Sequence, residues 1–394
     1  MGPDYDAVVV GCGPAGNTAA YRLASAGLRV AMLEREAMPR HKVCGGGLSA
    51  KTLREAPFSL APVVERQVGT ALIAYRGSNP VRCELAGIGG MTQRAVLDAY
   101  MAEQAVRAGA VLREREAFES FERKAGRIEV RTGRGTVSTR VLIGADGVYS
   151  RVRKQLLPNA TPQLVPAIEA LLWPRAGVME RLGDTCIFDL GMIPAGYAWV
   201  FPKRDHLNVG LYRFFKRDDN VDLRSLLQAF IASYPILRDH ERVAVKALFI
   251  PVRPVARRLA VGGVLLVGDA AGLGDPFYGE GIFYAVRSGN LAARAVLGHL
   301  AANGPLRAYD RLLVGLRFQL AAARIAAQLF YRSPRLGFRF GVRNRRVSAL
   351  FAGMIAGTVS PARALAGGLA LAPYWLFAPP VAPIKSPIFA DGGG

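Results

Sequence analysis

Residues 5–10 are almost all apolar and run into Gly11, the pattern of a short buried strand entering a tight turn. An alanine-rich stretch follows through Ala26, stops at Gly27, and leads into a second apolar run over 29–33. Together they predict a βαβ unit. Helical spacing recurs over 93–108 and ends at Gly109. Short strands are predicted at 111–114 and 118–122. The segments 127–131 and 136–139, parted by Gly133, Arg134 and Gly135, predict a hairpin feeding an apolar strand at 141–144. Between about 167 and 250 the pattern changes to alternating strands, including 197–201 and 207–215, interrupted by a helix over 223–234. An α/β pattern returns with a strand over 261–267, again ending in glycine. From Arg311 to Arg346 arginines recur on a helical framework without a single acidic residue.

Composition narrows the class. The 394 residues suit two intimately joined domains, and a chain that is half hydrophobic buries a sizeable core. The net charge of +21 favours anionic partners. No nucleic-acid motif accompanies that charge, which places phosphate-bearing ligands and acidic membrane surfaces ahead of nucleic acid. Cys12, Cys44, Cys83 and Cys186 form no CxxC pair, and the four histidines are scattered, so no metal site is expected and a reducing cytoplasm is the default. No signal-peptide pattern precedes Asp4. The stretch 364–384 lacks charges, but Pro373, Pro379, Pro380 and Pro383 break it as a spanning helix, leaving a bilayer surface as its one membrane role.

The chemistry concentrates in three glycine turns. Gly11-Cys12-Gly13-Pro14-Ala15-Gly16 closes the first strand; its glycines allow a tight turn and close approach of backbone to a pyrophosphate, which the N-terminus of the next helix attracts. Glu34, ending the second strand, is placed to accept ribose hydroxyls. Gly144-Ala145-Asp146-Gly147, followed by Ser150 and Arg153, is a second turn after a strand. Gly268-Asp269-Ala270-Ala271, continuing through Pro276 and Gly279-Glu280-Gly281 to Ile282, is the third. There Asp269 suits ribityl hydroxyls, and the following helix would favour negative charge on a reduced flavin. Arg94, heading its helix, is a pyrophosphate contact or a solvated side chain.

These signatures, in this order, resemble the para-hydroxybenzoate-hydroxylase-like superfamily of flavoproteins, over residues 4 to about 300. Two further stretches narrow the resemblance. Pro39-Arg40-His41-Lys42-Val43-Cys44-Gly45-Gly46-Gly47 resembles the PxxKxCGGG signature of geranylgeranyl reductases, and Tyr197-Ala198-Trp199-Val200-Phe201-Pro202 resembles their YxWxFP motif. Gly279–Ile282 through Arg287-Ser288-Gly289 is also similar. Val43 and Gly47 depart from the chlorophyll-pathway members, which places the chain nearer the broader prenyl-reductase group.

The resemblance implies an α/β fold: a glutathione-reductase-like FAD-binding Rossmann domain with an inserted antiparallel β-sheet substrate domain and a C-terminal helical region. The expected segments are 1–56, 92–157 and 258–305 for FAD, 57–91 and 158–257 for substrate, and 306–394 for helices that associate with a membrane or present a solvated face. The implied FAD-binding residues are Gly11, Gly13, Pro14, Ala15, Gly16, Glu34, Arg35, Cys44, Gly45, Arg94, Asp146, Gly147, Gly268, Asp269, Gly279, Gly281 and Ile282. Alternation puts Tyr197, Trp199 and Phe201 on one strand face, as tunnel wall or as sheet core, and Lys203 joins them as a substrate residue. Arg204, Arg76 and Arg82 are further head-group candidates. Cys44 is the catalytic candidate: it donates a proton, positions a water, or shapes the pocket.

The implied activity is saturation of C=C bonds in a geranylgeranyl or polyprenyl chain by hydride from reduced FAD, with NAD(P)H, ferredoxin or a reduced quinone as electron donor. Two other classes stay open: an FAD monooxygenase of a hydrophobic or aromatic molecule, and a non-catalytic prenyl-binding escort protein. A halogenase fits less well, because WxWxIP is absent. Peripheral contact with an anionic cytoplasmic membrane follows from the charge, while oligomeric state is left open.

Overall fold

Three parallel strands, each ending in one of the glycine turns, lie side by side and set the architecture. Tyr5–Val10 pairs with Val30–Leu33 on one side and with Gly135–Gly144 on the other, and Val264–Leu266 pairs beyond that. Val111–Arg113 completes the parallel series at the far edge. Val10 and Leu266 both stand opposite Gly144, so the three turns converge at one end of the sheet. Ligands bind at that end of such folds, beyond the carboxyl ends of the strands. The structure is a computed structural model describing residues 2–214, 221–302, 304–371, 379–384, 386 and 388–389. The end of the strand expected over 207–215, part of the uncharged 364–384 stretch and the end of the 306–394 region lie outside the described residues.

Helices cover this sheet tightly. Helix Pro14–Ser25 packs against Ile282–Ala302, where a Cβ on Gly289 would lie 2.5 Å from the Ala15 carbonyl oxygen. Helix Arg94–Arg107 packs on Pro14–Ser25 from another side. Two expectations change here. The segments expected at 136–139 and 141–144 are one strand, Gly135–Gly144, whose outer half alternates in exposure beside the Arg127–Thr132 hairpin and whose inner half is buried between parallel neighbours. The strand expected over 261–267 is a hairpin, Ala260–Val261 against Val264–Leu266, because Gly262-Gly263 turns it with both φ positive.

A second sheet also has eight strands. Its order is His240–Pro251, Leu164–Pro174, Leu207–Arg213, Gly196–Pro202, Thr185–Leu190, Arg66–Tyr75, Ser78–Met91 and Gly47–Leu48. The sheet is antiparallel, as expected, except for one parallel pair. Thr185–Leu190 runs parallel to Arg66–Tyr75, because these strands come from two separate excursions of the chain and no hairpin joins them. Gly47–Leu48, from the glycine-rich segment after Cys44, pairs with Gly90–Met91 and ties that segment to this sheet. Helix Leu223–Ser233 covers one face. Helices Val314–Arg332 and Arg345–Ala356 cover part of the other, joined by Pro334–Leu336 and a π-helical turn at Gly337–Val342.

Candidate active site

The first glycine turn is built by close approach. Gly11 has φ +100°, and a Cβ there would stand 2.5 Å from the Ala145 carbonyl oxygen, so the first and second glycine motifs touch through backbone alone. Helix Pro14–Ser25 begins at the turn with proline in its first position, and no side chain caps its first backbone N–H groups. Two guanidinium groups stand beside it. The nearest atoms to a Cβ on Gly13 would be Arg94 Nη2 at 3.6 Å and Arg40 Nη2 at 4.0 Å. Both arginines converge on the buried Asp98, Arg94 through Nε at 2.8 Å and Nη2 at 2.7 Å, Arg40 through Nη1 at 3.1 Å. Burial works against the charge on Arg94, yet the Asp98 carboxylate more than offsets it and holds the guanidinium above its ordinary pKa.

Several expected cofactor residues take defined places. Glu34 is buried and accepts from the Cys12 N–H at 3.1 Å and Arg40 Nε at 3.0 Å, bracing the first glycine turn. The Asp146 carboxylate accepts from Ser150 Oγ and from the N–H groups of Arg151 and Val152, so it shapes its own turn and caps the short helix after it. Asp269 faces Lys42, 3.5 Å away, and its Oδ1 lies 3.6 Å from where a Cβ on Gly281 would be. Gly279 and Gly281 bracket Glu280, which bonds Lys51 and Ser49, and Ile282 opens the long helix behind them. Arg35, by contrast, projects into solvent and pairs with Glu36.

The catalytic candidate sits where the two sheets meet. Cys44 is half-buried against Leu48, Leu97 and Ile282, and its Sγ accepts from the Gly46 N–H at 3.4 Å. Lys203, expected at the substrate, has a different task. It is buried, and Nζ donates to the carbonyls of Gly45 at 2.6 Å and Thr92 at 2.9 Å, stapling the CGGG segment to the strand end before helix Arg94–Arg107. Burial pulls its pKa down to about 8, against the attraction of Cys44, Glu65 and Glu169. Glu169 is the other buried charge here. It accepts from Asn208 Nδ2 at 3.0 Å and, on the loop side, from the Cys44 backbone; burial raises its pKa. Asn208 Oδ1 accepts from Trp199 Nε1 at 2.8 Å, completing a chain from Cys44 to the indole.

Tyr197, Trp199 and Phe201 do share one face, with ring centroids 6.2 and 6.0 Å apart along the strand. Gly210 stands opposite Trp199, and a Cβ there would lie 2.3 Å from the indole, so only glycine admits the ring at this depth. The lower end of this ladder reaches the loop bearing Cys44: Phe201 is 3.2 Å from where a Cβ on Gly45 would be. Its upper end opens into a half-open apolar cavity. Phe188, Tyr197 and Cys83 form its floor, while Phe330, Tyr331 and Phe351 from the C-terminal helices form its roof. Burial raises the Cys83 thiol to about 11, with Glu84 adding to the shift.

Tyrosine hydroxyls bind these parts together. The successive carbonyls of Pro276, Phe277 and Tyr278 each accept one, from Tyr212, Tyr331 and Tyr197 respectively. Tyr278 in turn donates to the Phe351 carbonyl at 3.0 Å. The loop leading to Gly279-Glu280-Gly281 is thus anchored to the sheet and to the C-terminal helices at once.

Comparison with known proteins decides the family. Residues 4–163 match the model of the FAD binding domain. The geranylgeranyl diphosphate reductase of Rhodobacter capsulatus is 32% identical over 76% of this chain and 77% of its own length. The chain belongs to the geranylgeranyl reductase family of FAD-dependent oxidoreductases. Digeranylgeranylglycerophospholipid reductase 1 of Methanopyrus kandleri is likewise 32% identical over 75% of the chain and 80% of its own length. A geranylgeranyl bacteriochlorophyll reductase-like protein of Thermoplasma acidophilum superposes with a TM-score of 0.77 over 93% of the chain and 96% of its own, at 24% identity, which establishes a shared fold. The brominase Bmp2 shares the fold at a TM-score of 0.68 and 18% identity, over 94% of this chain and 98% of its own.

For this geranylgeranyl reductase relative, sequence reasoning overlooked Arg40, which the PRHKVCGGG segment already contained. It also overlooked Glu169, Asn208 and the aromatic roof. Asn208 falls one turn of the hairpin beyond Trp199, and only strand register brings the two together. The remaining head-group candidates do not cluster. Arg82 pairs with the exposed Glu84, and Arg76 donates to the Gly191 carbonyl.

Proposed function

We propose that this flavoenzyme saturates carbon–carbon double bonds in an isoprenoid chain attached to a lipid or diphosphate head group. One observation carries the reading: an apolar cavity roofed and floored by aromatic rings, joined through Tyr197, Trp199 and Phe201 to the loop bearing Cys44. A cavity without charged walls suits an apolar chain and keeps its surroundings dry.

The residues present fit FAD. The cradle at Gly11, the free N–H groups of helix Pro14–Ser25 and the paired guanidiniums of Arg40 and Arg94 suit a pyrophosphate, and Asp269 suits the ribityl chain. Bound FAD supplies the hydride when reduced. Everything else falls to the chain. The N-terminus of helix Ile282–Ala302 favours negative charge beside it. The aromatic ladder holds the prenyl chain in register. Cys44 keeps a proton at Sγ for the carbon that does not receive hydride, and Lys203 and Glu169 hold its loop in place. NAD(P)H or ferredoxin restores the electrons by transient docking, consistent with a sequence that has no second dinucleotide fingerprint.

The test is anaerobic. The purified flavoprotein is reduced with dithionite, prenyl substrates are added, and the flavin spectrum is followed. Reoxidation with a product heavier by one hydrogen molecule per double bond supports the proposal. A flavin that stays reduced until air enters, then releases a product heavier by one oxygen atom, replaces it with a monooxygenase.

A further inference from the structure

Helix Val314–Arg332 has two apolar faces, and among the described residues only one is covered. Ala323, Ala327 and Tyr331 are buried against the second sheet, and Phe330 and Tyr331 wall the cavity. On the opposite side Val314 is 62% exposed, Phe318 62%, Ile325 47% and Leu329 56%. Steps of four, seven and four residues place these four on one stripe of a helix. Ala321 is exposed between them, and Leu336, 54% exposed, follows just past the helix end.

The charge around the stripe identifies what covers it. Arg311 and Arg332 are exposed near its two ends, and Arg335, Arg339, Arg345 and Arg346 are exposed beyond. No carboxylate occurs anywhere from Arg311 to Arg346. A second copy of the chain docking symmetrically on this stripe would bring arginines against arginines. A partner that is apolar within and anionic at its surface meets both halves of the pattern. Among the described residues no helix is long and apolar enough to cross a membrane, so the helix would lie along a surface. Its arginines would reach the head-group layer while Phe318, Ile325 and Leu329 enter the acyl boundary.

We propose that this face of helix Val314–Arg332 seats the protein on an anionic bilayer, with the same helix forming the cavity roof on its other side. Leu329 on the stripe directly precedes Phe330 in the cavity wall, so the docking face and the cavity lie on two sides of one helix. The docking surface itself does not rest on the proposed prenyl-lipid substrate.

The test uses the full-length, FAD-loaded protein and vesicles of phosphatidylcholine alone or mixed with phosphatidylglycerol. Wild type is expected to partition at least about tenfold better onto the anionic vesicles, and raised salt to weaken it. The combined variant Phe318→Ser, Ile325→Ser, Leu329→Ser should lose about tenfold or more of that partitioning. It should keep its flavin spectrum and wild-type turnover of a detergent-dispersed prenyl lipid, because none of the three lines the cavity. Arg332→Glu with Arg335→Glu should act the same way. Undiminished vesicle binding by the serine variant overturns the proposal. So does a wild-type dimer in sedimentation that the serine changes convert to monomer, which makes the stripe an interface between copies. Should vesicle binding follow the expected pattern while no prenyl lipid turns over in detergent, the docking surface stands and the catalytic reading fails.

Discussion

Cys44 is held by its neighbours more than by its own bonds: the glycines after it, the Lys203 staple and the Glu169 contact fix its loop, while its thiol stays half-exposed. Removing the thiol therefore tests chemistry with little disturbance of the fold. Cys44→Ala is expected to retain full FAD content by absorbance and to lose roughly 10²-fold in kcat, the scale of a positioned proton donor. A change confined to KM would mean that Cys44 only shapes the pocket. Gly210 presents the opposite case, a residue with no chemistry whose absence of a side chain is its contribution. A methyl group there meets the Trp199 ring at 2.3 Å. Gly210→Ala should cost about 1–3 kcal/mol in denaturant unfolding as the indole is displaced, and should break the Trp199–Asn208 bond. That role could not be read from the sequence around Gly210, because its opposition to Trp199 depends on strand register.

At the scale of elements, the CGGG segment and the C-terminal helices each depend on a few long-range ties. Lys203 holds the segment while its folded pKa lies near 8, below the ordinary 10.5. The sign follows from proton counting. Between those two values the unfolded chain binds more protons at this lysine than the folded one, so wild-type stability rises with pH through that window. Lys203→Met lacks this contribution, and its denaturation midpoint should fall increasingly behind wild type as pH rises from about 8 toward 10.5. Parallel curves for the two proteins would remove the argument. The roof is tested separately. Ala352 lines the cavity from helix Arg345–Ala356, and Ala352→Phe is expected to cut turnover of long prenyl substrates about tenfold or more, with shorter chains less affected and flavin content unchanged.

Across the whole molecule, what the sequence disclosed was governed by range. The glycine turns and the YAWVFP strand were legible as structure because each is a local pattern with a local physical cause. Arg40 was within reach, sitting inside a motif already singled out. The Glu169–Asn208–Trp199 chain, the Lys203 staple and the tyrosines on the Pro276–Tyr278 carbonyls were not, since each joins segments that only tertiary structure brings together. The role of the arginine-rich C-terminal region was half legible: its charge was evident, but its buried face as cavity roof depended on packing against the second sheet.

That second sheet also dictates how the protein must assemble. Thr185 pairs with Thr70, and the Pro80 carbonyl accepts from the Ile384 N–H, so early strands wait for partners made much later in the chain. Such closures spend chain entropy before any contact repays it, and they slow folding. During refolding from denaturant, helical circular dichroism should therefore recover before the fluorescence of Trp199, whose surroundings require both excursions of the chain to have returned. A nascent polypeptide would carry the first turn of its nucleotide site long before it had anywhere to put a hydrocarbon.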